Sequence, residues 1–596
     1  MKNYQGINRQ TSTNVLGKIL KLTVQSSFAI AMMATPSKAI SIQPIGTFST
    51  GVFDDSGAKI TAFDPDNQRL AVVNDDSLAL DILNIIDPTN PNLEFSIDLG
   101  QFGDFGAVNS VAYTDGIFAV AVENDTATNR GEVLFFNPFG DLINQLTVGS
   151  LPDMLTFTPD GSKLLVANEG EPSDDYTIDP EGSVSIIDVS GGVDGLTDAD
   201  VKFAGFKAFN DKIDELREKD VRIFGPGSTV AQDLEPEYIT VSEDGTTAYV
   251  TLQENNALGI LDLTTNEFTD VVALGFKDYS LPGNGLDASD RDGKINIQNY
   301  PVFGIYNPDE IAAYTVGGET YLVTANEGDS REYLFEDDEG NEVEALVEET
   351  KVGDVVLDPT AFPDAEILQQ DEILGRLEIT NTMGDTDGDG DFDELYAFGG
   401  RSFSIWNEKG ELVFDSGDDF EQITAELFPE FFNSTNDENN FDNRSDNKGP
   451  EPEGVTIGKV GDQTLAFIGL ERVGGFMTYD ISNPLAPEFI TYTNNRDFSV
   501  EFDVDEEGDP DPTDEQLAAV GDLGPEGLTF ISADQSPTGK ALLVVANEVS
   551  GTTTIYDIEP ESVPEPGTIF GLLVFGAAGK LLLKRNSKTT QEKEEI

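Results

Sequence analysis

The sequence predicts an all-β protein, a β-propeller of seven to eight blades. Three observations predict it. Between residues 42 and 558 one pattern recurs: a short strand, an Asp-Gly or similar turn, an apolar strand ending in Asn-Glu or a relative, and a third strand often ending in Asp. The copies follow one another at intervals of about 45 residues or more, as four-stranded propeller blades do. Each copy is too short to bury a core of its own, which disfavours a set of separate sandwiches.

Two looser copies come first, "ITAFDPDNQRLAVVND" from Ile60 and "NSVAYTDGIFAVAVEND" from Asn109. Closer ones follow at "DMLTFTPDGSKLLVANEGEPSDDY" from Asp153, "EYITVSEDGTTAYVTLQENNALGILDL" from Glu237 and "EIAAYTVGGETYLVTANEGDSREY" from Glu310. Two more are "EGVTIGKVGDQTLAFIGLERVGGFMTYDIS" from Glu453 and "EGLTFISADQSPTGKALLVVANEVSGTTTIYDIE" from Glu526. The runs "RLEITNT", "ELYAFGG", "SFSIWN" and "ELVFDS" between residues 376 and 416 read as four strands of another unit. That makes eight candidate repeats, and a merged or incomplete unit leaves seven. Long loop insertions account for the wider intervals, and residues 42–49 supply a strand that closes the ring by completing the last blade. "TDADVKFAGFKAFNDKIDELREKD" is an excursion with one short helix expected near residues 210–219.

Composition narrows the chemistry. The chain holds 112 Asp+Glu against 34 Lys+Arg, a formal charge of -78, with no cysteine and no histidine. Such a charge repels nucleic acid and anionic membrane surfaces and attracts cations. Without cysteine there are no disulfides and no thiolate nucleophile. Without histidine the usual base of hydrolytic triads and the commonest zinc ligand are missing. Any chemistry runs on carboxylates, Arg, Lys, Tyr and hard, oxygen-bound metals.

Both ends read as addresses. Residues 1–39 carry Lys18 and Lys21, then "LTVQSSFAIAMMATPSKA", a weakly hydrophobic secretory leader. Residues 559–567 form a linker containing Val563, Pro564, Glu565 and Pro566. An apolar segment at 568–585 is interrupted by Lys580 and ends in Lys584 and Arg585, and a charged tail runs from 586 to 596. The segment is near the lower limit for a membrane span, and its basic flank predicts a cytoplasmic end. Motif, apolar run and basic cluster together resemble the PEP-CTERM sorting signal, which implies export, tethering through the C-terminal segment only, and an exosortase-type sorting enzyme as partner.

In a propeller the first strand of a blade lies beside the central channel and the second runs back antiparallel to it. Residues just before strand one and just after strand two therefore share a face. Here those positions are repeatedly acidic. Asp153, Glu237, Asp309, Glu453 and Glu526 each follow a proline, and Glu169, Glu254, Glu327, Glu471 and Glu548 follow strand two. A ring of carboxylates around one mouth repels itself unless it retains protons or holds cations, which makes Glu169, Glu327, Glu453, Glu471, Glu526 and Glu548 candidate metal ligands. The plain alternative is that these residues cap strands and bond loop amides. Arg331, Arg401 and Arg472 fall near equivalent places and are candidate phosphate or anion ligands.

A sharper metal signal is "DTDGDGDFDELY". Asp385, Asp387, Asp389, Asp391 and Asp393 match positions one, three, five, seven and nine of a calcium loop, with Gly390 at the sixth. The twelfth position, normally a bidentate Glu, is Tyr396, so the site is weaker or is completed by a distant carboxylate. The spacing predicts this loop in a strand-one-to-strand-two turn, on the face opposite the acidic ring, as scaffolding. "LDASDRDGKINIQN" and "NSTNDENNFDNRSDNKGPEPEG" are poorer acidic candidates.

The stretches "LVTANEGDSREY", "DGDGDFDELYAFGGRSFSIW" and "GPEPEGV", with the repeats already quoted, resemble the choice-of-anchor I family. The resemblance implies a secreted propeller displayed at the cell surface or outer envelope. It also implies a relation to the mesenchyme-specific cell-surface glycoprotein and a frequent alkaline phosphatase label. Two readings remain. One is a calcium-binding module that engages exopolysaccharide, mineral or a protein. The alternative is a calcium-dependent phosphoesterase, alkaline phosphatase-like or phytase-like, acting on phosphomonoesters at the acidic mouth.

Overall fold

Among the described residues the repeats form seven four-stranded antiparallel sheets. The computed structural model describes residues 40–337, 340–504 and 510–560. The expected leader, the Pro-Glu-Pro motif, the apolar segment and the charged tail lie outside the described residues.

The blades run in chain order, and each apolar strand that the repeat predicts is the second of its blade. These second strands are Arg69–Asn74, Ile117–Asn124, Lys163–Asn168, Thr247–Leu252, Glu319–Asn326, Gln463–Leu470 and Ala541–Asn547. They are almost wholly buried, because a strand inside a blade is covered on both faces by neighbouring blades; that is why they read as continuous apolar runs rather than alternating ones. Outermost strands such as Asn92–Asp98 are largely exposed.

One apolar cluster fills each of the seven blade interfaces. Between blades one and two lie Val73, Ile82, Val120 and Phe136. The cycle ends between blades seven and one, where Leu70, Val72, Leu542 and Ile555 meet. Ile40–Ser49 closes the ring as expected, pairing antiparallel with Thr552–Pro560 from Ile40 opposite Pro560 to Ser49 opposite Thr552. A bulge between Pro44 and Gly46 brings this strand against blade one. A Cβ on Gly46 would lie 2.3 Å from the Pro88 carbonyl oxygen, so only glycine fits there.

The eighth candidate unit resolves into two different things. Ser402–Asn407 pairs with Glu319–Asn326, and Leu412–Asp415 follows it, so these are the third and fourth strands of blade five. Glu378–Thr380 and Tyr396–Phe398 belong instead to an inserted five-stranded sheet with Phe276–Asp278, Phe303–Ile305 and Glu349–Lys351. Local pattern marked four strands correctly, but partners are set by tertiary contacts that spacing does not encode. The excursion between strands two and three of blade five is pinned at a glycine pair. A Cβ on Gly328 (φ +114°) would lie 2.3 Å from Gly399 N, and one on Gly399 would lie 2.3 Å from Glu327 O.

The expected helix near 210–219 is a 3-10 turn, Lys207–Lys212, running into the α-helix Ile213–Arg217. It is not the one helical excursion: Val230–Asp233, Ala365–Leu368, Asp419–Leu427 and Asp514–Val520 are also helical, all in connections between strands. No described helix is long and apolar enough to cross a membrane.

Candidate functional site: the acidic mouth of the channel

The Pro-acid dipeptide that opens the first strand of blades three, six and seven has a mechanical role. Pro152 pairs with Asn168, the register then shifts, and pairing resumes at Leu155 opposite Val166. The same bulge separates Pro452 from Val455 and Pro525 from Leu528. A bulge re-aims the residues it contains. Here it turns Asp153, Glu453 and Glu526 out of the ladder toward one another.

The structure brings the predicted ring together. Burial raises the Asp309 carboxyl well above the usual range, and Glu327, Glu310, Asp153 and Glu526 raise it further. Glu453 is raised by burial and then by Glu471, Glu526, Glu548 and Asp309. Glu237 feels Asp309, Glu254, Glu169 and Asp153 after burial, and Glu169 feels Glu171, Asp153 and Glu254. In blades one and two the ring position is held by Lys59 and Asn109. Lys59 approaches Glu526 at 3.5 Å, and that carboxylate raises its pKa well above the ordinary lysine value. Five ring carboxylates thus face a single ring lysine. One oxygen each of Glu453 and Glu526 is buried without a hydrogen-bond partner. These orphaned oxygens are suited to a hard cation. Beneath the ring a cavity of about 570 Å³ follows the channel past Ile60, Ser110, Met154, Tyr238 and Gly527.

One corner of the mouth is neutralised from within. Carboxylate oxygens of Glu327, Glu451 and Glu471 lie within 4.8 Å of one another. Glu451, fully buried, accepts from Arg444 and Arg472 and is held down at about 2, the two arginines and Lys448 outweighing its burial. Arg472 also meets Glu471 at 2.9 Å, and Lys448 bonds Asp329 at 2.7 Å. Sequence reasoning missed Glu451 because only Glu453 of "PEPEG" fits the repeat; the doubled Pro-Glu was the available signal.

Each predicted anion-binding arginine is committed to carboxylates. Arg331, 2% exposed, donates to Asp233 at 2.7 Å and to Glu235 at 2.5 Å. Arg401 donates to Glu421 at 2.6 Å and to the Asp287 carbonyl at 2.7 Å. Arg472 is held by Glu451 and Glu471. The three share no partner, so this arrangement gives no phosphate clamp.

The loop from Asp385 to Asp393 is not in a blade turn. It connects Glu378–Thr380 to Tyr396–Phe398 in the inserted sheet, on the side of the propeller where strand two leaves for strand three. That is the side of the acidic mouth, which corrects the expected position opposite it. Asp385 accepts from the amides of Gly388, Asp389 and Gly390, which sets the turn. Two three-carboxylate groups form around it: Asp385, Asp387 and Asp393, and Asp358, Asp391 and Asp393. Asp358 is the distant carboxylate, brought in because Leu357 bridges Phe392 in parallel. Asp391 is pushed up to about 6 by desolvation and by Asp389 beside it. Tyr396 is no ligand; its hydroxyl donates to Glu394 at 2.6 Å.

Sequence reasoning also missed Glu310, adjacent to the ring residue Asp309. Its carboxylate accepts from the Val455 amide, and burial pushes it up to about 8. Glu171 and Glu327 are pushed up to about 7, burial again being the main cause. These folded values lie above the unfolded one, so the native state binds more protons between them. Stability of the metal-free protein should therefore fall as pH rises from about 5 to 8. Thermal melts in chelator at stepped pH check this, and a melting temperature that rises over that window contradicts it.

The choice-of-anchor I domain model matches residues 59–484. Gigasin-3a of Magallana gigas is 29% identical over 205 residues, 33% of this chain and 69% of that protein. The mesenchyme-specific cell surface glycoprotein of Strongylocentrotus purpuratus is 31% identical over 284 residues, 43% of this chain but only 36% of that protein's length. Among solved structures, the WD40 domain of Toxoplasma gondii coronin aligns at a TM-score of 0.43 and 9% identity, covering 88% of this chain and 87% of that one. Kuenenia stuttgartiensis hydrazine synthase aligns at 0.41 and 12%, covering 86% and 100%. The family match spans five whole blades and three of the four strands of the sixth, and the chain belongs to the choice-of-anchor I domain family.

Proposed function

We propose that the protein is an exported, surface-displayed binding module that holds calcium in the acidic mouth of its propeller and uses it to engage an anionic partner, exopolysaccharide or mineral. The observation that carries this reading is the ring itself: five carboxylates against one lysine, with orphaned oxygens on Glu453 and Glu526. Calcium accepts irregular sets of carboxylate oxygens and, once held, has coordination positions left for an acidic ligand. The family and the name of the sea urchin relative support a surface location. The PEP-CTERM-like tail supports sorting by an exosortase-type enzyme. Binding is preferred to phosphoester hydrolysis because Arg331, Arg401 and Arg472 are each occupied by carboxylates. The loop from Asp385 to Asp393 with Asp358 is a second calcium site of this reading, stiffening the inserted sheet.

The test uses the full chain, stripped with chelator and reloaded. Wild type is expected to co-sediment with calcium carbonate and with a uronate-rich polysaccharide in calcium but not in chelator. A folded Glu453→Gln, Glu526→Gln variant should lose most of that binding. Retention by the variant, or calcium-dependent phosphomonoester turnover abolished by Arg472→Ala, would overturn the proposal.

A further inference from the structure

The channel has a second end. First strands run away from the acidic ring and finish in the turns to strand two, so those turns form the opposite face of the propeller. The cavity of about 570 Å³ beneath the ring reaches that face. It passes Met154 and Tyr238 and ends at Asp66 of blade one, Asp115 of blade two and Gln535 of blade seven, all in those turns. Its volume lies within the roughly 300–1,000 Å³ of small-molecule sites.

Its lining is unlike that of the mouth. Hydroxyls come from four blades: Thr61 from the first, Ser110 and Thr114 from the second, Thr156 from the third and Thr529 from the seventh. The Thr61 and Thr529 hydroxyl oxygens lie 2.8 Å apart, and Thr529 donates to the Thr61 carbonyl at 3.0 Å, which fixes the pair at the wall. Ser110, 3% exposed, accepts from the Leu155 amide at 3.3 Å, and its own proton has no acceptor among the described residues. Phe63, Tyr113 and Phe530 supply apolar surface.

Charge selects the ligand. No lysine or arginine is among the described lining residues, and Lys59, one position before Ile60, is turned to Glu526 in the ring. The lining carboxylates are those of Asp66 and Asp115, both exposed at the rim. Phosphate, sulfate and uronate therefore meet negative charge with no cation to offset it. Inside the rim the polar groups are neutral, so an ammonium entering there is desolvated without a counter-charge. Neutral hydroxyls spread over several walls, with apolar surface beside them, match a ligand that carries many hydroxyls of its own.

We propose that this end of the channel binds a short neutral saccharide. It enters from the turn face, where Asp66 and Asp115 accept from its outer hydroxyls, and Ser110, Thr114, Thr156 and the Thr61–Thr529 pair meet those inside. The site is on the face opposite the carboxylate ring and needs no calcium.

The test is calorimetry on the full chain in chelator, with maltose, cellobiose and diacetylchitobiose as probes and glucuronate and choline as charged controls. At least one neutral disaccharide should bind, and neither control should. Ser110→Ala with Thr114→Val should weaken that binding roughly tenfold or more, because two hydrogen bonds are lost. Glu453→Gln with Glu526→Gln should leave it unchanged. No binding of any disaccharide by the folded wild type overturns the proposal, as does preference for choline. Binding that needs calcium, or that disappears with the Glu453 and Glu526 changes, assigns the saccharide to the acidic mouth and also overturns it. Should the Ser110 and Thr114 variant fail to fold, hydrogen exchange on wild type decides. The bound disaccharide should slow exchange across 61–66 and 110–116, and slowing confined to 451–472 refutes the site.

Discussion

Removing Ile40–Ser49 from the chain should abolish the cooperatively folded propeller rather than trim it. This strand is the outermost of blade seven, and every one of its ladder bonds is made to Thr552–Pro560 near the opposite end of the sequence. It also buries Ile40 and Ile42 against Tyr556, Ile558 and Leu543. Two buried isoleucines contribute roughly 1.5–3 kcal/mol each, and ladder bonds add about 1 kcal/mol apiece. The sum is comparable with the roughly 5–15 kcal/mol that stabilises a typical domain. The deletion also leaves Thr552–Pro560 as a bare edge, a template for aggregation. Size-exclusion chromatography and a thermal melt should show aggregate and no sharp transition. A monomer melting near wild type would mean that the ring does not depend on this strand. The expected leader ends one residue before the strand begins.

Strands of the repeats were legible, whereas the inserted strands Phe276–Asp278, Phe303–Ile305, Glu332–Glu336, Glu342–Val347 and Glu349–Lys351 and the partnership of strands were not. "KLLVAN" and "ALLVVAN" announce themselves because a second strand is covered on both sides and must be continuously apolar. "RLEITNT" and "SFSIWN" carry the same local signal, yet one lies in an insertion and the other completes a blade begun at Ile311. What joins Ser402–Asn407 to its blade is the close approach of Gly328 and Gly399, a contact between residues that repeat spacing treats as unrelated.

The site shows the same division. Proline followed by an acid marks the ring acids of blades three to seven, and in blades three, six and seven it coincides with a bulge that turns the side chain toward the channel. Lys59 and Asn109 hold the equivalent places without a proline, and their blades were the looser copies. Charge compensation was the unreadable part. Glu451, Lys448 and Arg444 reach the mouth from a long connection whose path follows from tertiary packing alone.

Arg331→Met should destabilise the protein by roughly 3–5 kcal/mol, among the largest effects expected of a single substitution here. The guanidinium is gripped by Asp233 and Glu235, which are 1% and 3% exposed, and it stacks 4.8 Å from the Phe224 ring centroid. One oxygen on each acid already lacks a hydrogen-bond partner, so no spare donor stands ready to replace the arginine. Removing the cation strands two buried carboxylates, and their only relief is protonation. That gives the effect a pH signature. Burial already raises Glu235 well above the usual carboxylate range with the arginine in place, and without it Glu235 binds protons more tightly folded than unfolded, so the deficit should be largest near pH 8 and shrink toward pH 5. Urea titrations at the two pH values measure it. Arg331→Lys should fall between, keeping the charge but losing the fork that reaches both acids. A phosphate-binding arginine would behave oppositely: it would be repelled by nothing when free of ligand, and its loss would leave stability intact while removing affinity. A stable Arg331→Met protein would therefore return this side chain to the list of anion ligands. A strongly destabilised, pH-sensitive one fixes it as the internal counter-ion of Asp233 and Glu235.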